Sequence, residues 1–236
     1  MAEKIYNGSR RHDLIAFIVI FGFALALRAV CAQWTPAFAG PISLIVVLGV
    51  VVAYLRHQRR SLASIGLVPL GSARRLWLLV PQSVLTGVVI IGTGLLVGMG
   101  GEALGLSFMA PDASGPAERF GDLAGNTPRY LLWLVVLWIA GPAEELYFRG
   151  FMITQLQRVF GRGRLSTAAA VLVPAILFGF GHFYYQGIRG FVVTGAIGLS
   201  LGLLFLAYRR NLWPLMIGHA AVNSLVFTAQ YLEWDI

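Results

Sequence analysis

Seven apolar runs divide this chain, and they constrain its fold more than any other feature. They are Leu14–Trp34, Ala37–Leu55, Trp77–Gly100, Arg129–Gln155, Ser166–His182, Gly190–Tyr208 and Leu212–Leu232. A hydrocarbon layer of about 30 Å is crossed by about 20 helical residues rising about 1.5 Å each. Most of the runs reach that length, and Ser166–His182 stands at the short limit. Inside lipid every backbone N–H and C=O must find a partner in protein, which favours helices. The pattern therefore predicts an all-α fold, a polytopic transmembrane helix bundle of about seven spans. Only 12% of the 236 residues are charged, about half the share of a soluble domain. No room is left for a separate soluble domain, so residues 1–236 read as a single membrane domain. Leu14–Trp34 is too long for a signal-peptide core, contains Arg28 and is followed by further spans, so it reads as a retained helix. The single cysteine, Cys31, excludes an intrachain disulfide and a cysteine metal cluster.

Orientation follows from lysine and arginine. With the N-terminus in the cytoplasm, thirteen of the 18 Lys and Arg residues fall on the cytoplasmic side, among them Arg56, Arg59, Arg60, Arg74 and Arg75. Arg119, Arg129 and Arg189 fall outside, and Arg28 and Arg149 lie within spans. The net charge of +8 is accounted for by anionic headgroups, so the lipid bilayer and not nucleic acid is the expected partner. The long loop Gly101–Pro128, with Glu102, Asp112, Glu118 and Asp122, is placed over the outer face. The apolar patch Ile65–Leu70 between basic clusters reads as an interfacial segment on the inner leaflet.

Ionisable groups within a bilayer are costly and point to function. They form three groups: Glu144, Glu145 and Arg149 in the fourth span, His182 at the end of the fifth, and His219 with Asn223 in the seventh. Glu145 and Arg149 are i and i+4 on a helix and can pair. Burying the pair costs less than burying either charge alone. That pairing leaves Glu144 without a local cation. Pro142 cannot donate to the turn behind it, and a kink there would open the helix just before Glu144. A carboxylate and an imidazole sharing one water can take its proton and direct it at an amide carbonyl. A second imidazole and an Asn amide can bind the oxyanion. A glutamate and two histidines also suit zinc, but the His-Glu-x-x-His helix signature is absent, so no metal is assigned and zinc stays an alternative.

The three groups stand as Glu144-Glu145-x-x-x-Arg149, Phe178-x-x-x-His182 and His219-x-x-x-Asn223. In this order, each on an apolar run, they resemble the motifs of the CAAX prenyl protease and bacteriocin-processing (CPBP, Abi) family of intramembrane glutamate-dependent proteases. The resemblance covers roughly Arg129–Ala229, and residues 129–232 are the expected catalytic core. It implies an intramembrane endopeptidase acting on a membrane-associated peptide or protein. It further implies that Glu144 and His182 activate water, that His219 and Asn223 stabilise the oxyanion, and that Glu145 with Arg149 holds the site together. Phe178 opens the second motif as a supporting residue. Bacterial members of the family suggest the bacterial cytoplasmic membrane. Two other readings use the same residues: a proton-coupled transporter, and a catalytically silent immunity or scaffold protein. Counting along the spans puts Glu144 about 8 Å and His219 about 12 Å from the inner boundary, which predicts a site facing the cytoplasm.

Overall fold

The computed structural model describes residues 2–110 and 114–234, and all regular structure among them is helical. In chain order the helices are α1 (Ala2–Trp34), α2 (Ala39–His57), α3 (Ala73–Ala103), α4 (Ser114–Phe120) and α5 (Thr127–Glu144). A π-helical run (Glu145–Ile153), α6 (Thr154–Phe160), α7 (Arg164–Ala207) and α8 (Trp213–Tyr231) follow. Five stretches are long and apolar enough to cross a membrane: Arg10–Trp34, Ala39–His57, Ala73–Ala103, Thr127–Phe160 and Arg164–Ala207. In none of them is more than 39% of the apolar window buried inside the bundle. The remaining apolar side chains, such as the exposed Trp77, Val80 and Leu96, face outward, as suits lipid rather than water. These are the features of an integral membrane protein.

The 44-residue α7 is too long for one crossing at about 1.5 Å per residue. Its backbone breaks at Gly187, with φ 59° and ψ −156°, a conformation open to glycine and poorly open to other residues. The two limbs fold back on each other. A Cβ on Gly179 would stand 2.4 Å from the Phe191 carbonyl oxygen, one on Gly198 3.1 Å from the Ala175 Cα, and one on Gly202 2.6 Å from Val171. The paired residue numbers fall on one side as they rise on the other, which is an antiparallel hairpin. Small residues at such a contact let two helices pack closely where lipid offers no hydrophobic drive. The expected gap at 183–189 is thus mostly helix, interrupted at one residue.

Helix ends carry their own signals. Asn126 accepts the Arg129 N–H at 3.3 Å, with Pro128 in the first turn of α5; this satisfies one of the free donors there. At the other end of the bundle Asp13 on α1 is buried. It accepts hydrogen bonds from Gln155 (2.9 Å), Tyr54 (3.0 Å) and Arg158 (3.0 Å), tying α1 to α2 and α6.

Two connecting segments dock on the bundle. Phe120 of α4 packs edge-on against Trp133 and Phe227, both with centroids 4.9 Å away, and its carbonyl accepts the Trp133 indole N–H. The loop thus covers that end of the bundle as expected; Asp112 lies outside the described residues. The patch Ile65–Leu70 differs from the interfacial expectation. Ile65 is buried in the core with Tyr147 and Phe151, the Gly66 carbonyl accepts from Leu212 N–H, and the Val68 carbonyl accepts from Trp213. Its apolar side chains find protein before they find lipid.

Candidate active site

Glu144 ends α5 and Glu145 begins the π-helical run. A π turn bonds i to i+5 and takes up an extra residue, and such turns recur at functional sites. More residues per turn means a smaller angle between neighbours, so two consecutive carboxylates can face one partner. That partner is His219 of α8. Its Nδ1 donates to Glu145 Oε1 at 2.8 Å, and its Nε2 lies 3.8 Å from Glu144 Oε2. Pro142 precedes this change of helix type, where the sequence suggested a kink.

Glu145 and Arg149 form the expected i, i+4 pair, Nη1 to Oε1 at 3.0 Å, with side chains 0% and 1% exposed. Arg149 also donates to the Gly198 carbonyl at 3.3 Å, so the second limb of the α7 hairpin braces the pair. Its guanidinium carbon sits 4.4 Å from the Phe178 ring centroid, a favourable cation–π contact. Phe178 in turn lies 4.7 Å from the His182 ring and 6.3 Å from that of His219. The supporting phenylalanine is therefore the wall that both histidines share.

His182 Nδ1 donates to the Phe178 carbonyl at 2.9 Å. In a neutral ring that leaves Nε2 with the free lone pair. His182 and Glu144 line one cavity of about 110 Å³, large enough for a few waters at about 30 Å³ each. The buried Tyr147 hydroxyl, which has no protein partner, belongs to a residue of the same wall. Asn223 is half-buried one turn beyond His219. Glu144 is 25% exposed, whereas Glu145 is sealed between Arg149 and His219.

Thr127–Phe160 is one continuous 34-residue helical stretch, longer than the span read from the sequence, so Glu144 stands at its middle. The cavity extends from there along Arg28 of α1, Gly40 of α2, Arg119 of α4 and Gly181 of α7. Those positions lie toward the end of the bundle that holds the α1–α2 turn, α4 and Gly187, away from the basic connections. Leu25 and Phe180 also line it and are 42% and 55% exposed, which places its mouth on the outer surface between α1 and α7. Arg28 lay in an apolar run as a visible signal; Arg119 fell within the expected outer loop, and nothing in its spacing pointed here.

Residues 126–225 match the family described as Rce1-like, type II CAAX prenyl endopeptidase Rce1-like. That segment is an Rce1-like CAAX prenyl endopeptidase domain. The family is one of hydrolases and implies membrane endopeptidase activity, with a protein or peptide as substrate. The matched segment contains all three sequence motifs, the π-helical run and the part of α8 that carries His219 and Asn223. No curated protein and no solved structure matches the chain. Among the described residues no group of three or more His, Cys, Asp or Glu is arranged to hold a metal ion.

Proposed function

We propose that the chain is an intramembrane endopeptidase in which Glu144 and His182 activate water. The observation that carries this reading is the division of labour between adjacent glutamates. Glu145 is committed to Arg149 and His219, while Glu144 is turned into a cavity that it shares with His182. A carboxylate locked to arginine is a poor proton acceptor; one beside water and an imidazole is a good one.

In the proposed step, water is held by the Glu144 carboxylate and the His182 Nε2 lone pair. Glu144 takes one proton as the water oxygen bonds to the scissile carbonyl carbon. The oxyanion is met by the Asn223 amide N–H and by Nε2–H of His219, whose Nδ1–H is already given to Glu145, so that the ring acts as an imidazolium; preorganised donors fill this role well. The C–N bond then breaks as Glu144 returns the proton to the leaving amine. Residues 129–232 supply these groups and act as the catalytic core. Counting the two limbs of α7 separately and adding α8, the bundle crosses the membrane seven times. His219, Asn223 and Gln230 lower the hydropathy of α8 without shortening it. With the basic connections in the cytoplasm, the mouth between α1 and α7 opens sideways to lipid and toward the opposite face. A membrane-associated peptide or protein would enter from the bilayer.

Membrane proteomes of cells carrying the wild type or Glu144→Gln test this reading. It expects membrane peptides cut in the wild type and intact in the variant. Identical fragment patterns, with both proteins present at equal abundance, would favour the silent-scaffold reading.

A further inference from the structure

The basic end of the bundle carries a second cavity, which shares no lining residue with the one at Glu144. It measures about 510 Å³ and lies between the start of α3, the end of α7 and the connection into α8, a size ordinary for a ligand site. Arg74, Arg75 and Arg209 line it, and among the described residues no acidic side chain does. Arg75 donates to the Pro69 carbonyl at 2.7 Å. Arg74 and Arg209 join no ion pair among the described residues. The Tyr208 hydroxyl donates to the Gln82 carbonyl at 3.0 Å, which ties α7 to α3 beside the cavity.

Each part of this wall favours an anion. Arg74 and Arg75 stand in the first turn of α3, where the helix dipole already places partial positive charge and disfavours cations. Arg209 holds φ 54°. It follows the end of α7 in a turn where the Arg210 N–H returns to the Phe205 carbonyl and the Arg209 N–H to that of Leu206. Glycine makes that turn with least strain; arginine there brings a guanidinium to the cavity. A cation at the end of α7 suits that helix's dipole, but the dipole gives no reason for the two at the start of α3. Asn211 supplies an independent sign. It is 7% exposed, and its Oδ1 accepts the Trp213 N–H at 3.3 Å. The amide nitrogen is therefore the half left to the cavity, and it has no protein partner among the described residues. Positive charge and N–H donors thus converge from three elements.

The neighbouring surface says what the anion is attached to. Leu76, Trp77 and Val80 of α3 are exposed and form outward apolar surface. Leu78 lines the cavity and is itself exposed, so the cavity opens onto that surface. Tryptophan is favoured at the boundary between hydrocarbon and headgroups. We propose that the cavity binds the phosphate group of an anionic phospholipid, with Arg74, Arg209 and Asn211 as donors and the acyl chains lying along α3. Basic pockets between spans suit such headgroups. The bound lipid joins α3 and the end of α7 to the start of α8, the helix that carries His219. The inference goes beyond the endopeptidase reading and does not depend on Glu144 being a base.

Binding and melting test it without any cleavage assay. The full chain is delipidated in detergent and reloaded with phosphatidylglycerol or phosphatidylcholine. Native mass spectrometry counts bound lipid, and the melting temperature is recorded for each. Phosphatidylglycerol should be retained more tightly than phosphatidylcholine and should raise the melting temperature, as a ligand of the folded state does. Arg74→Gln should weaken phosphatidylglycerol about fivefold, the scale for one basic residue at a membrane surface. Arg209→Gly is the sharper variant. Glycine fits the positive φ, so the protein should melt no lower than the wild type in phosphatidylcholine and still lose the gain from phosphatidylglycerol. Arg56→Gln, at the same end of the bundle but outside the cavity, should keep that gain. Equal retention of the two lipids, or an Arg209→Gly protein that keeps the full gain, would overturn the site. Arg56→Gln weakening the lipid as much as Arg74→Gln would replace it with diffuse surface charge. Inorganic phosphate that displaces the lipid and raises the melt equally would make the site one for a soluble anion. A wild type that cleaves nothing counts against the hydrolase and leaves this result standing.

Discussion

Glu145 Oε1 accepts a hydrogen bond from His219 Nδ1 at 2.8 Å across the contact between the π-helical run and α8. The same oxygen accepts from Arg149. One buried carboxylate thus fixes both a cation and the orientation of an imidazole. Glu145→Gln leaves Arg149 short of a counter-charge in a site where both partners are fully buried, which costs about 3–5 kcal/mol. The expected outcome is a clear fall in the melting temperature in detergent, with activity lost because the fold is lost. Arg149→Met should be better tolerated than Glu145→Gln, since the carboxylate it leaves keeps the His219 hydrogen bond, whereas Arg149 has no second ion pair among the described residues.

Asp13 collects hydrogen bonds from Gln155, Tyr54 and Arg158 at one end of the bundle. Asp13→Ala takes away the acceptor of the Tyr54 hydroxyl and of Arg158, while Gln155 keeps the residue-13 carbonyl and the Tyr54 oxygen; the cost is about 1.5–3 kcal/mol for a bond to a charged group. Limited proteolysis should then cut the α1–α2 turn faster than in the wild type, because α1 is held to α6 through this residue.

The α7 hairpin depends on close approach at Gly179. Gly179→Ala would push a methyl group onto the Phe191 carbonyl, 2.4 Å from the Cβ position, and overpacking of this kind costs about 1–3 kcal/mol. Gly187→Ala should also destabilise, because its φ is positive. Melts in detergent should separate both from Gly22→Ala, which meets nothing within 4 Å.

The long apolar runs made the helical membrane fold legible, because lipid forces backbone hydrogen bonding to be local. The Glu145–Arg149 pair was legible for the same reason, since it is set by spacing within one helix. The π-helical run was not. It widens a helix whose composition is ordinary, and it turns Glu144 and Glu145 together toward His219. The fourth span was ended at Gln155, while the helix continues to Phe160, because Gln157 and Arg158 break the apolar run without breaking the helix. Gly187 could not be distinguished from its neighbours without coordinates: an interrupted α7 and two separate spans have the same hydropathy. Arg119 reaches the cavity through tertiary packing of α4, which leaves no periodic trace.

Strong chelators should leave turnover unchanged. Glu145 is engaged by Arg149 and His219, and His182 Nδ1 by a backbone carbonyl, which leaves few free donors for a tetrahedral ion. Turnover lost on chelation and regained with stoichiometric zinc would replace the water-activation scheme with a metal-assisted one.

The central claim is that Glu144 is the base. Its most direct measurement is single-turnover cleavage of a membrane peptide by purified, reconstituted protein, wild type against Glu144→Gln, with the melting temperature of each. The account predicts a fall of about 10²–10⁴-fold in rate, the usual worth of a positioned general acid–base, with an unchanged melt. A folded Glu144→Gln protein that cleaves at the wild-type rate would contradict it.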